Sequence, residues 1–157
     1  FDWMRASASM PLVSRPVCLD GADYLDGGLS DGIPLRYFES IGYDRNVVIT
    51  TRPHGYRKFP VAKMRFLKPF LRRYPAIYKA LMTRHVWYNR ALEYIDERVA
   101  KDAALLICPD TDLPISRVCH DPECMQRVYD TGLEAGRARV DEVKRFLAGM
   151  PIREERS

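Results

Sequence analysis

The sequence predicts an α/β protein, and three observations carry that reading. Two apolar runs, Val47 to Thr51 and Ala103 to Cys108, show no alternation, as expected for strands buried on both faces of a parallel sheet. Between them lies a long stretch with apolar residues at helical spacing, which suits the crossover that parallel strands need. A second long helical pattern follows. Strand, crossover, strand, helix is the order of a layered α/β arrangement.

The elements follow in chain order. Phe1 to Met10 reads like the middle of an element. Val17 to Leu19 and Ala22 to Leu25 are short apolar runs around Asp20-Gly21, predicting strand, tight turn, strand. The segment from Asp26 to Gly32 is too rich in glycine for a regular element and reads as a loop. Pro34 opens a short helix and Gly42 closes it. Arg52 to Tyr56 leaves the first buried strand as a loop. Val61 to Tyr74 reads as a basic, aromatic helix broken by Pro69. From Ala76 to about Lys101, Ile77, Leu81, Tyr88, Leu92, Ile95 and Val99 recur at helical spacing. Asp112 to Ser116 reads as a short extended piece. Asp121 then has the character of an N-cap, with Pro122 at the first helical position and Glu123 in the first turn. Met125, Val128, Gly132, Gly136, Val140, Val143 and Leu147 mark the expected buried stripe of the last helix. Its two glycines would allow close approach to the sheet. The charged tail after Met150 is expected to fray.

Composition narrows the class. The chain has 157 residues, 46% hydrophobic and 29% charged, with 4 Cys and a formal net charge of +4. These fractions exclude a wholly disordered chain, a collagen and a coiled coil. No apolar run approaches the roughly 18 residues that would span a bilayer. Nothing near Phe1 resembles a signal peptide. The four cysteines are expected as reduced thiols, and the chain as cytoplasmic.

The modest net charge hides an asymmetry. From Arg45 to Leu92 there are twelve basic residues and no Asp or Glu, so the rest of the chain is net acidic. Much of that charge falls between about residues 56 and 74, a surplus over a simple crossover and therefore an insertion. It interleaves Arg57, Lys58, Lys63, Arg65, Lys68, Arg72 and Arg73 with aromatic residues including Phe66 and Phe70. Cations attract anionic headgroups and rings bury shallowly, which makes these residues candidates for lipid or anion contact and for peripheral contact with an anionic membrane. A solvated basic face is the plainer alternative. Nucleic acid is not expected as a partner, because no recognition motif accompanies the charge.

The chemistry centres on Asp26. An acidic residue at a strand end followed by Gly27 and Gly28 is a good place for a working carboxylate. Glycines let the backbone turn sharply and keep bulk away from the side chain. The passage carries Ala6-Ser7 and Pro11, then Asp26-Gly27-Gly28, then Asp31-Gly32-Ile33-Pro34. As a composite it resembles the patatin-like phospholipase family. Leu106 to Arg137 also resembles bacterial members, through Ile107-x-Pro109, Leu113-Pro114-Ile115 and Tyr129-x-x-Gly132.

The resemblance implies a layered α/β/α hydrolase fold and a lipid acyl hydrolase working through a Ser–Asp dyad. Asp26 would be the dyad base, with Gly27, Gly28, Asp31 and Pro34 supporting the motif. A lipid or acyl ester would be the substrate, with no metal or organic cofactor. The chain departs from the family in one respect that decides its reading. It has no G-x-S-x-G and no glycine-rich oxyanion loop, both of which lie upstream of the Asp motif in the family. The expectation is the C-terminal part of such a domain, residues 1–150, followed by a tail at 151–157. It would be inactive alone and completed by the missing N-terminal half of the same domain. A non-catalytic membrane-, lipid- or partner-binding module is the alternative.

Other constellations carry less. Ser7 and Ser9 lack an elbow and are not expected as nucleophiles. His54, His85 and His120 are isolated and read as structural or surface residues. Cys119-His120-Asp121-Pro122-Glu123-Cys124 matches no common zinc spacing, and Asp121-Pro122 is better explained as a helix start.

Overall fold

A computed structural model describes residues 1–149 except 12, 61–65, 67, 70, 73, 117 and 118. The expected tail at 151–157 lies outside the described residues. The elements are α1 (Asp2–Ser7), β1 (Val17–Leu19), β2 (Ala22–Tyr24), α2 (Leu35–Ser40), β3 (Asn46–Ile49), α3 (Pro75–Ala100), β4 (Ala104–Ile107) and α4 (Pro122–Leu147). Helices with small sheets of this kind are compatible with the α/β class. The chain falls into two compact units.

The first unit is Phe1–Pro34 with Arg57–Leu92. Here β1 and β2 form the expected antiparallel hairpin, with Val17 opposite Tyr24 and Leu19 opposite Ala22. Its two-residue turn has Asp20 at φ 50° and Gly21 at φ 78°. Positive φ at both positions matches the right-handed twist of the flanking strands, and Asp-Gly is a pair that tolerates it. Helix α1 packs on β1. Among the described residues of this unit, Ala6, Ser9, Val17 and Leu71 are buried. The segment after β2 is not all loop: Gly27–Leu29 forms one turn of 3-10 helix.

Of the expected helix from Val61 to Tyr74, much lies outside the described residues. The described Lys68, Pro69, Leu71 and Arg72 form turns. The helix at Ala76 is present as α3, beginning at Pro75, whose missing N–H costs nothing in the first turn.

The second unit is Leu35–Tyr56 with Glu93–Ser157. Strands β3 and β4 pair in parallel, with Asn46 opposite Ala104 and Ile49 opposite Ile107. Helix α2 packs on β3 and α4 on β4. The core comprises Leu35, Val48, Ile95, Ala104, Leu105 and Phe146. Both apolar runs are strands, as expected, but β3 is not buried on both faces. Ile49 is 74% exposed, and β3 and β4 form a sheet of only two strands among the described residues. Thr50 and Thr51 fall outside β3, and Asp112 to Ser116 form no strand.

Helix α4 begins as expected. Asp121 Oδ1 accepts the Glu123 N–H at 3.0 Å, and Pro122 occupies the first turn. Its buried stripe is rotated from the predicted one. Met125, Val140 and Leu147 are exposed, whereas Phe146 is fully buried. The glycines do not mediate close approach, because a Cβ at Gly132 or Gly136 would meet nothing within 4 Å.

Candidate active site

Asp26 sits two residues past β2 in the first unit and is partly buried. Main chain and side chain hold it from different directions. Its N–H donates to the Ser9 carbonyl at 2.8 Å. Its carboxylate Oδ1 accepts the Gly28 N–H at 2.7 Å, capping the turn Gly27–Leu29. An ionised carboxylate has about four acceptor positions, so one such bond leaves capacity for a proton or a further donor.

Gly28 is the crowded member of the pair. A Cβ there would lie 3.0 Å from Asp26 Oδ1 and 3.1 Å from an Arg84 guanidinium nitrogen. Gly27 has room, since a Cβ would meet only Ser7 Oγ at 3.9 Å. Asp31 Oδ1 accepts the Ile33 N–H at 3.3 Å, turning the chain just before Pro34. The proposed motif residues therefore form one continuous turn system from Asp26 to Pro34.

Helix α3 supplies the other wall. Arg84 Nε donates to the Gly28 carbonyl at 2.8 Å. One turn along, Tyr88 Cδ2 lies 3.5 Å from the position a Cβ would take at Gly32. Residues at i and i+4 share a helix face, so Arg84 and Tyr88 present one surface to both ends of the glycine loop. Asn89 brackets Lys58, accepting its N–H at 2.8 Å and donating to its carbonyl at 3.0 Å. The Lys58 ammonium lies 4.2 Å from the centre of the Tyr88 ring.

Sequence reasoning does not single out Arg84 or Asn89, and it places Tyr88 only on the apolar stripe of the helix. The available signal was the i, i+4 pair Arg84 and Tyr88 on a helix without acidic residues in that stretch.

The lipid-contact candidates divide. Arg57 and Lys58 are partly buried, and Phe66, Lys68 and Arg72 are exposed. Lys63, Arg65, Phe70 and Arg73 lie outside the described residues. Phe59 and Phe66 are each 79% exposed. Ser9 is buried and its hydroxyl donates to the Arg5 carbonyl at 2.7 Å, a helix-end contact.

The second unit has its own polar groups. His54 Nε2 lies 3.1 Å from Asp96 Oδ1, beside a cavity of about 400 Å³ lined also by Leu105, Cys108, Arg139 and Glu142. Glu39 accepts from the Tyr94 hydroxyl and, at 2.6 Å, from Arg98 Nε. The bond to Glu39 raises the Tyr94 pKa, and burial adds to it. Burial raises the Cys124 thiol, and a hydrogen bond with Cys119 adds to it. Among the described residues, no group of three or more His, Cys, Asp or Glu is placed to hold a metal. No helix among them is long and apolar enough to cross a membrane.

Residues 1–39 match the model of the patatin-like phospholipase family, which relates this segment to lipid hydrolases. The match contains the whole turn system from Asp26 to Pro34. A domain of unknown function (DUF6363) matches residues 74–148. Leu106 to Arg137, read above as resembling bacterial patatin-like proteins, falls within this second match. No curated protein matches the chain.

Proposed function

We propose that this chain supplies the aspartate of a Ser–Asp dyad in a lipid acyl hydrolase of layered α/β/α fold. The observation that supports this best is the held carboxylate of Asp26, inside the stretch that matches the patatin-like family. The serine would come from a G-x-S-x-G segment in the other half of the same domain. Asp26 would take the serine proton as it attacks the ester carbonyl. It would return that proton to the leaving alcohol, and water would then release the acyl group by the same route. No step calls for a metal or an organic cofactor.

The test is an ester assay with a short-chain nitrophenyl substrate. The 157-residue chain is expected to show no turnover. A protein joining it to its G-x-S-x-G half is expected to be active, and Asp26→Ala to abolish that activity. Turnover by the chain alone, or activity surviving Asp26→Ala, overturns the reading.

A second reading is peripheral binding to a lipid surface, favoured by the 79% exposure of Phe59 and Phe66 within the basic segment. It predicts salt-sensitive cosedimentation with anionic liposomes that survives Asp26→Ala. Neutralising Lys68 and Arg72 together with Lys63, Arg65 and Arg73 should weaken it. Equal binding to neutral and anionic liposomes counts against it.

A further inference from the structure

We propose that Arg84 is a positioning residue for Asp26, so that the region matching the domain of unknown function completes the catalytic turn of the patatin-like segment. The proposal rests on the dyad reading above.

Gly28 is held through both of its flanking peptide groups. Its N–H donates to Asp26 Oδ1 at 2.7 Å, and its carbonyl accepts from Arg84 Nε at 2.8 Å. A cation on that carbonyl polarises the Gly28–Leu29 amide, whose Leu29 N–H donates to the Asp26 main-chain carbonyl at 3.1 Å, so it strengthens the turn that carries the carboxylate. Arg84 thereby acts on Asp26 through the backbone on both sides of the Gly28 Cα, without touching the reacting atoms.

Further observations agree. A Cβ at Gly28 would meet both Asp26 Oδ1 and the Arg84 guanidinium, at 3.0 and 3.1 Å. The carboxylate and the cation therefore flank the same small space. The helical neighbours of Arg84 at i±3 and i±4 are Ala80, Leu81, Trp87 and Tyr88, none of them acidic, so no carboxylate on its own helix face competes for it. Tyr88 lies against Gly32, and Asn89 on the adjoining side brackets Lys58. A 26-residue helix is a firmer support than a loop for a bond that must not drift.

The test begins with the 157-residue chain and hydrogen exchange by NMR. In the unaltered chain the Arg84 Nε–H should exchange more slowly than that of an exposed arginine such as Arg15. Equal rates overturn the proposal without any variant. Arg84→Met keeps the apolar stem and removes donor and charge. It should speed exchange at the Gly28 and Leu29 amides roughly tenfold, the size expected for losing a charge-assisted hydrogen bond that holds this turn, and Arg84→Lys should restore part of the protection. Unchanged rates at both amides in Arg84→Met overturn the clamp.

In the protein that includes the G-x-S-x-G half, Arg84→Met should lower kcat at nearly unchanged KM, with partial rescue by Arg84→Lys. Loss of activity in Asp26→Ala but full kcat in Arg84→Met overturns the positioning role alone. Activity in Asp26→Ala overturns the dyad reading itself.

Discussion

Arg45 Nη1 donates to the Phe146 carbonyl at 2.8 Å, and its guanidinium lies 5.4 Å from the centre of the same residue's ring. One side chain thus adds a second donor to a carbonyl in the last turn of α4 that already accepts the Gly149 N–H at 3.1 Å, and it covers the ring that anchors that helix. Phe146 is fully buried. Phe146→Ala should cost about 3–5 kcal/mol, since it removes a large buried ring and leaves a cavity. Arg45→Ala should cost about 1 kcal/mol. Urea unfolding followed by circular dichroism separates the two, and similar losses for both variants would contradict this division.

The Glu39 cluster gives a pH dependence with a definite sign. The folded-state pKa of Tyr94 is raised above 10.0, chiefly by its hydrogen bond to Glu39. Below the unfolded value the folded and unfolded states are both protonated, and the bond's contribution is fully present. Between the unfolded and folded values only the unfolded state ionises, so stability falls as pH rises above about 10. Tyr94→Phe should flatten the fall of the unfolding midpoint over that alkaline range while changing little of the pH profile near neutrality. An identical alkaline slope in the variant would remove the assignment.

The two glycines after Asp26 should respond differently to the same substitution. Gly27→Ala places its methyl in ordinary contact with Ser7 Oγ and should be nearly neutral in stability. Gly28→Ala crowds the carboxylate and the guanidinium. Its cost should be about 1 kcal/mol, at the low end for overpacking because one crowding atom ends a flexible side chain. Thermal unfolding of both variants checks the contrast. Equal effects would show that the Gly28 site relaxes freely.

The cysteines should differ in reactivity. Cys124 has its thiol pKa raised and bonds to the Pro114 carbonyl at 3.1 Å. Cys18 is exposed and all four cysteines are free. Because the thiolate is the nucleophile, iodoacetamide at pH 8 should label Cys18 well before Cys124. Cys119→Ser should alter the Cys124 rate. Peptide-resolved mass spectrometry reads both, and faster labelling at Cys124 would refute the ordering.

What the sequence made legible was local. Asp20-Gly21, Pro34 with Gly42, and Asp121-Pro122 each place a turn or a helix end through chemistry contained in a few adjacent residues. Val47 to Ile49 and Ala104 to Ile107 announce strands by composition. Longer-range facts were not legible. Helical spacing alone left the phase of α4 ambiguous, so Leu147 was expected inside where Phe146 is found. Gly132 and Gly136 suggested contact, but the helix turns them away from any neighbour. Arg84 looked like one cation among twelve because its partner, Gly28, is 56 positions away. Asp26 was visible through its motif, whereas the bonds that orient it depend on tertiary placement.

The bond from the Asp26 N–H to the Ser9 carbonyl joins two points separated by the whole β1–β2 hairpin. It works like a drawstring on that excursion. Changes of length at the Asp20-Gly21 tip bulge outward from that closed neck and need not move Asp26. A tag or reporter inserted at Asp20-Gly21 should therefore leave the neck intact, since closing a longer loop adds only about 0.6 kcal/mol per doubling. The tip is free to vary with whatever it meets, while the carboxylate at the hairpin's base keeps one address.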